Sequence, residues 1–477
     1  MTTRDEVKRL FDSSEAKFRE CWSTLFRIKK RESLRADDLL TFQPRLAGAL
    51  FEIDELYRRL SQERRDYISR KSQLSKKWFV NRLRLIKSYQ QALKELIGIG
   101  IAIGDSFAWI FYVNEREHLF EHYSKSRDLH TPPGIGGLGE LEFVKGVPVL
   151  NDHIVIYHGT TSFLRLGDVS FVSLRDFRLK AIGEIKTKKI APNELAVTVV
   201  SVSSSKEDLE ALHKFEKQPS SPQPDVELDQ GDDLPQSIQQ RLGRQMKEMG
   251  KSLNPSSAEA GVQLEMEPVF EVVSELWSEL EGNRSAIKSA GRALLLAGFR
   301  NSKGSLYELY FSKSGFNIQN EFDGLPDTVI SQLKENSVYN RVIISSVLNP
   351  SAKYSLNQGM TPVFAWPLAP ELIESILFNR ITLISVYNPA HLIDDLEERG
   401  FEVQPVDGRP DFKLSLRIGK KEFAIQTMSY FIGLIARHFF SEKAIVETIQ
   451  HTVALSKEKA EGSGNEVGIQ LRFIQQM

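Results

Sequence analysis

Residues 163–188 read FLRLGDVSFVSLRDFRLKAIGEIKTK, and the reading of the chain works outward from them. Polar and apolar residues alternate from Asp168 to Val172 (DVSFV), the two-residue period of a half-buried strand. A second alternating run, Leu179 to Lys186, ends in Glu184-Ile185-Lys186, and a polar bend from Leu174 to Arg178 separates the two. Side chains two apart on a strand share a face, so Glu184 and Lys186 point together while Ile185 points away. A hairpin folded symmetrically about Asp176 sets Asp168 opposite Glu184. Two carboxylates and an ammonium then converge on one spot.

Such a trio suits phosphodiester hydrolysis. Mg²⁺ is a hard ion, held by one or two carboxylates with water and substrate phosphate. It activates a bound water and offsets charge on the phosphate, and a nearby lysine orients that water or stabilises the transition state. The plain alternative is an amphipathic hairpin with solvated charges, since Glu-x-Lys is a short pattern. Three neighbours favour the first reading: Gly167 before Asp168, a third alternating run at Leu195–Val202, and a helical pattern at Ser205–Lys217.

Gly167-Asp168 followed by Glu184-Ile185-Lys186 resembles the PD-(D/E)xK nuclease superfamily, the restriction-endonuclease-like fold, over roughly residues 95–215. The resemblance implies that Asp168 and Glu184 hold Mg²⁺ (or Mn²⁺) and that Lys186 serves the attacking water. It also implies another acid from the preceding helix, with Asp105 and Glu117 as candidates beside Glu115 and Glu121. Leu166-Gly167 stands where the family name has proline. The expected activity is that of a deoxyribonuclease, and the superfamily's habits suggest defence against foreign DNA in bacteria. An inactive nuclease-like scaffold and an RNA-acting nuclease are the competing expectations.

The expected fold class is multidomain α/β. Residues 1–92 form a helical, basic region, and 93–217 a mixed-sheet nuclease-like core. Residues 218–262 form a linker with a short helix, and 263–477 a separate α/β domain of open role. In a chain of 477 residues the formal net charge is only −1, so a nucleic-acid site must be a local patch. Arg58 to Lys94 is that patch, with twelve cations against Glu63 and Asp66. Arg64, Arg65, Arg70, Lys71, Lys76, Lys77, Arg82 and Arg84 are its candidate phosphate contacts. The interleaved Tyr57, Tyr67, Trp78, Phe79 and Tyr89 read as packing. Self-association or a partner protein would use the N-terminal helices or the C-terminal domain.

Cys21 is the single cysteine, which excludes an intrachain disulfide and a cysteine zinc cluster and fits a reducing cytoplasm. The opening MTTRDEVKRL has no apolar signal core. Leu96–Tyr112 is the one membrane-like stretch, and Asp105 within it favours a buried helix over a span. Thr131–Gly139 (TPPGIGGLG) reads as a loop without a phosphate-binding Gly-Lys-Ser/Thr. Glu140–Val149 and His153–Tyr157 read as strands, with His158 structural at a strand end. Farther on, Val269–Leu280 and Ala369–Phe378 read as helices. Ser305–Phe311, Arg341–Ser346, Arg380–Val386 and Lys413–Ile418 read as strands, and Met428–Leu455 as one long helix. Pro410-Asp411 with Glu422 mimics the nuclease spacing but lacks the lysine.

Overall fold

The computed structural model describes residues 1–33, 35–112, 118, 134–191, 194–203, 249, 270–301, 304–311, 344–348, 362–406, 411–418, 421–425 and 428–462. The chain is mixed α/β and divides into two compact units, residues 1–256 with 305–307 and 362–364, and the remainder.

The first unit begins with helices α1 (Arg4–Lys29), α2 (Ala36–Leu40), α3 (Phe42–Ser69) and α4 (Lys76–Phe111). Thr3 caps α1 by accepting the Glu6 N–H at 3.2 Å. Asp5 and Glu6 in its first turn and Arg27 and Lys29 in its last suit the helix dipole. Its buried stripe, Val7, Phe11, Ser14, Phe18, Cys21 and Leu25, keeps the three- and four-residue spacing of an amphipathic helix. Residues 46–96, a run whose only glycine is Gly48 and which holds no proline, form an antiparallel helix pair rather than one long helix. Arg70–Ser75 turns the chain between α3 and α4, and Gln90 of α4 donates to Ser61 Oγ of α3 at 2.8 Å.

Helix α4 is unbroken across residues 92 and 93, where a division between regions was expected. Its outer half is largely solvated, and every residue from Ile99 to Trp109 is buried. That buried half is the membrane-like stretch, and among the described residues no helix is long and apolar enough to cross a membrane. Two glycines let it fit. A Cβ on Gly100 would meet Phe18 and Leu50 at 2.7 Å, and one on Gly104 would meet the Thr160 carbonyl oxygen at 1.9 Å.

Helix α5 (Ile135–Gly146) follows, then five strands in chain order, β1 (Val149–Leu150), β2 (His153–Tyr157), β3 (Val169–Ser173), β4 (Leu179–Ala191) and β5 (Glu194–Ser203), whose pairs are all antiparallel where a mixed sheet was expected, because short connections join successive strands into a meander. One face of the sheet presents Val155, Tyr157, Val169, Phe171, Ala181, Ile185, Val197 and Val199 to Leu141, Phe143 and Val144 of α5 and Ala47 of α3. Where β1 ends, Gln43 of α3 takes over the edge of β2. Its Oε1 accepts the Tyr157 N–H at 2.7 Å, and its Nε2 donates to the Val155 carbonyl. A side-chain amide thus satisfies strand groups that would otherwise be an open edge.

The strand expected at Glu140–Val149 is instead mostly helix α5, which also takes residues 135–139 of the expected loop. Leu141 and Val144 sit three apart on the buried side, and a short apolar run does not by itself separate the two periods. Gly134, at φ 76°, provides the positive dihedral at the start of α5.

In the second unit, α6 (Phe270–Gly282) precedes β6 (Ser285–Ala290) and β7 (Leu294–Arg300). Residues Leu306–Phe311, expected as strand, form helix α7, whose residues beyond Tyr307 belong to this unit. Then come β8 (Ile344–Leu348), α8 (Pro370–Leu377), β9 (Ile381–Tyr387), α9 (Ala390–Glu398), β10 (Glu402–Pro405), β11 (Phe412–Ile418) and β12 (Lys421–Ile425). The sheets run β6-β7-β9-β8 and β10-β11-β12, with antiparallel pairs throughout. The single helix expected at 428–455 is two, α10 (Ser429–His438) and α11 (Glu442–Gly462). Phe439 breaks it at φ 60°, with Phe439 N–H donating to Ile435 O, the single bond of a left-handed helix ending. Phe439 is wholly buried, so packing holds a dihedral that its sequence does not advertise.

Gly104→Ala is expected to lower the unfolding free energy by about 1–3 kcal/mol, because the added methyl strikes backbone rather than a side chain that can turn aside. Gly48→Ala meets nothing within 4 Å and should be neutral or stabilising by up to ~1 kcal/mol. Urea midpoints of the two variants test the difference, and equal effects would remove the close approach as the reason for Gly104.

Candidate active site

The β3–β4 pairing places Val169 opposite Gly183, Ser170 opposite Ile182 and Phe171 opposite Ala181. That register, carried one step outward, sets Asp168 opposite Glu184. Two hydrogen bonds fix the step: Asp168 N–H donates to Gly183 O at 2.8 Å, and Ile185 N–H donates to Asp168 Oδ2 at 2.8 Å. The carboxylate therefore takes an amide of the β4 backbone. A carboxyl only 6% exposed needs such a partner, because an unsatisfied buried charge is costly.

Ile185 belongs to the apolar face against α5, so Glu184 and Lys186 stand on the opposite face. Lys186 Nζ lies 2.8 Å from Glu184 Oε1. The Glu184 side chain is 7% exposed and that of Lys186 is 29% exposed, and beyond them Lys188 and Lys189 are exposed. The pair thus marks the level at which β4 leaves the interior.

The site rests on a turn that binds closely to α4. Gly167, at φ 69°, turns the chain into β3, and a Cβ there would meet Gly183 O and Ile182 at 2.7 Å and Met249 Sδ at 3.0 Å. Behind Asp168, His158 lies between Gly167 O and Ser170 Oγ, and Tyr112 at the end of α4 donates to the same Ser170 Oγ.

Asp105, a candidate third acid, points elsewhere. Its Oδ1 accepts the Ser162 N–H at 2.6 Å and its Oδ2 accepts the Ser162 hydroxyl at 2.7 Å. Burial pushes its carboxyl up to about 7, against the opposing pull of Ser162 and Arg165. Asp105 fastens α4 to the loop before β3 and does not form a three-acid cluster with Asp168 and Glu184. Glu117, Glu115 and Glu121 lie outside the described residues. Sequence reasoning passed over Glu140, a buried acid on α5 whose Oε2 accepts the Tyr157 hydroxyl at 2.6 Å. Reading its segment as a strand hid it. The Asp411 and Glu422 pattern does not converge: Asp411 Oδ1 accepts the Met428 N–H at 2.9 Å, and Glu422 lies across from Arg417.

Two carboxylates without histidine or cysteine offer hard oxygen donors, the set that Mg²⁺ or Mn²⁺ takes in preference to softer sites. Among the described residues no cluster of three or more His, Cys, Asp and Glu side chains occurs. The residues present that could hold such an ion are Asp168 and Glu184.

Of the basic candidates, Arg64, Arg65, Lys76, Lys77 and Arg84 are exposed on the outer parts of α3 and α4, and Arg70 and Lys71 are exposed in the turn between them. Arg82 is not among them. It lies on the inward stripe of α4 with Ile86, Tyr89 and Leu93, where it pairs with Glu63 and donates to Thr2 O at 2.9 Å. Its helical position, not its charge, decides its role. Tyr89 is buried, and Trp78 meets Tyr67 edge-on at 5.1 Å while remaining 39% exposed.

No family model, curated protein or solved structure matches the chain.

The Asp105 carboxyl is raised in the folded chain above its ordinary 3.8. Between about pH 4 and pH 7 the folded chain keeps a proton that the unfolded chain has released, so stability falls as pH rises through that window. Above it the loss is complete. Asp105→Asn should flatten the dependence of the urea midpoint on pH across this range. An unchanged slope would mean that another group titrates there.

Proposed function

We propose that this chain is a metal-dependent nuclease that hydrolyses phosphodiester bonds in DNA, with a restriction-endonuclease-like sheet in its first unit. The observation that carries the reading is the β3–β4 register, which brings Asp168 beside the Glu184-Ile185 peptide while Lys186 pairs with Glu184 at 2.8 Å. An ordinary amphipathic hairpin would leave such charges solvated, whereas Asp168 and Glu184 are buried at the edge of the interior.

Asp168 and Glu184 would hold Mg²⁺ or Mn²⁺, which when bound lowers the pKa of its water and offsets charge on the phosphate. The Ile185 N–H keeps the Asp168 carboxylate in one orientation. Glu184 keeps the Lys186 ammonium at the site before substrate arrives, so little reorganisation is left to the reaction. Lys186, part in and part out of solvent, orients the attacking water or meets the phosphate oxygens. Arg64, Arg65, Arg70, Lys71, Lys76, Lys77 and Arg84 would neutralise backbone phosphates. Phosphate contacts position a nucleic acid without reading it, so this surface implies no recognition sequence. RNA would satisfy the same chemistry. Defence against foreign DNA is a setting in which such an enzyme would serve.

Plasmid and linear DNA incubated with Mg²⁺ or Mn²⁺ should be cut by the wild type, and roughly 10²-fold more slowly or not at all by Asp168→Ala and Lys186→Ala. Equal cutting by all three would discard the site. Binding without cutting in any divalent ion would favour a nuclease-like scaffold. For the basic surface, Lys76→Glu with Lys77→Glu should weaken DNA binding uniformly across sequences and shallow its dependence on salt by about 1–2 in log–log slope, measured by fluorescence anisotropy. An unchanged slope would take those lysines out of the interface.

A further inference from the structure

His158 is a buried imidazole whose two ring nitrogens both have partners next to the candidate site. Its Nδ1 lies 3.1 Å from Gly167 O, and its Nε2 lies 2.6 Å from Ser170 Oγ. A carbonyl only accepts, so Nδ1 carries the proton and donates. In the neutral ring Nε2 is then the acceptor, and the Ser170 hydroxyl donates to it. Ser170 Oγ in turn accepts the Tyr112 hydroxyl at 2.7 Å. The bonds run in one sense, Tyr112 to Ser170 to His158 to Gly167 O. Tyr112, Ser170 and His158 are each no more than 3% exposed.

The chain of bonds ends on the peptide that carries Asp168. The backbone of His158 grips the next peptide, on the other side of the Asp168 α-carbon, since His158 N–H donates to Asp168 O at 2.8 Å. Both carbonyls flanking the Asp168 amide plane and α-carbon, those of Gly167 and Asp168, are thus bound by one residue. Asp168 keeps only its carboxylate and its N–H for β4, and it uses both there. A nucleophilic Ser170–His158 pair does not fit this geometry, because Ser170 is wholly buried and Nδ1 rests on a carbonyl rather than a carboxylate.

We propose that His158 is the positioning residue of the Asp168 carboxylate: locked in one tautomer by Ser170 and Tyr112, it fixes the Gly167-Asp168 backbone so that Asp168 faces the Ile185 amide and the metal position. The inference rests on the nuclease reading for the use of Asp168, and on hydrogen bonding alone for its placement. Partners of this kind behind a ligand are worth about 10–100-fold in metal affinity.

Full-length wild type is compared with His158→Leu, His158→Asn and Tyr112→Phe. Three quantities are read: hydrogen exchange at the Ile185 amide, Mn²⁺ binding by calorimetry, and the melting temperature. Asparagine places an N–H near the Nδ1 position and can still donate to Gly167 O, whereas leucine cannot. His158→Leu is expected to speed exchange at Ile185 and to weaken Mn²⁺ by about 10-fold or more, while amides of the β4–β5 ladder keep their protection. His158→Asn should restore most of both. Tyr112→Phe, which removes only the outermost donor, should shift both in the same direction by a few-fold, and it serves if His158→Leu does not fold. Wild-type exchange at Ile185 and unchanged Mn²⁺ affinity in His158→Leu would overturn the proposal. So would equal losses in the leucine and asparagine variants. If the wild type binds no Mn²⁺ and cuts no DNA, yet Ile185 exchange still separates leucine from asparagine, the nuclease reading fails and the placement by His158 stands.

Discussion

The approach of α4 to the turn after β2 is the contact on which the first unit depends. At Gly104 the helix comes so near the Thr160 carbonyl that no side chain fits between them. At the very next residue Asp105 reaches Ser162, and at the helix end Tyr112 reaches Ser170. The segment that leads into β3 is therefore held along its length by one helix. Lifting α4 by the width of a methyl group would loosen the loop anchor and the hydrogen-bond chain to Gly167 together. This explains why a run with the hydropathy of a membrane segment is used here as a buried strut: its apolar side chains pack against α1, α3 and the turn after β2.

The buried acids and the amide inside this core are tolerated because they have specific partners. Asp105 is fastened by Ser162, Asp168 by the Ile185 amide, Glu140 by Tyr157, and Gln43 by the β2 backbone. A half-satisfied network would cost more than an apolar one. The two acids at Asp168 and Glu184 differ from Asp105 in position rather than in chemistry. They lie where β4 passes from interior to solvent, with Lys186 on the boundary, and that is where a substrate could meet them.

The hairpin was legible because its signal is local. Alternation gave β3, β4 and β5 within a residue at most limits other than the far end of β4, and the bend around Asp176 fixed the register, since one slip would have turned Ile185 out of the core. The same logic failed where period alone had to decide. Residues 140–146 and 306–311 are short apolar runs, and packing made them helices. Arg82 counted as one more cation in a basic stretch, yet the turn of α4 carries it inward to Glu63. Asp105 stood out correctly as a costly buried acid, but its partner is fifty-seven residues away and nothing nearby names it.

By itself the sequence determined the helical N-terminal region, the position of the hairpin, the Glu184-Ile185-Lys186 face and the excess of cations between Arg58 and Lys94. These follow from periodicity and composition, which act over a few residues at a time. Only the tertiary structure decided that Asp105 binds Ser162 rather than joining Asp168 and Glu184, which cation is lost to the core, and that His158 binds the backbone around Asp168. Those outcomes depend on where α4 meets the turn after β2, and that approach is set by the shape of the glycine contacts rather than by any pattern along the chain.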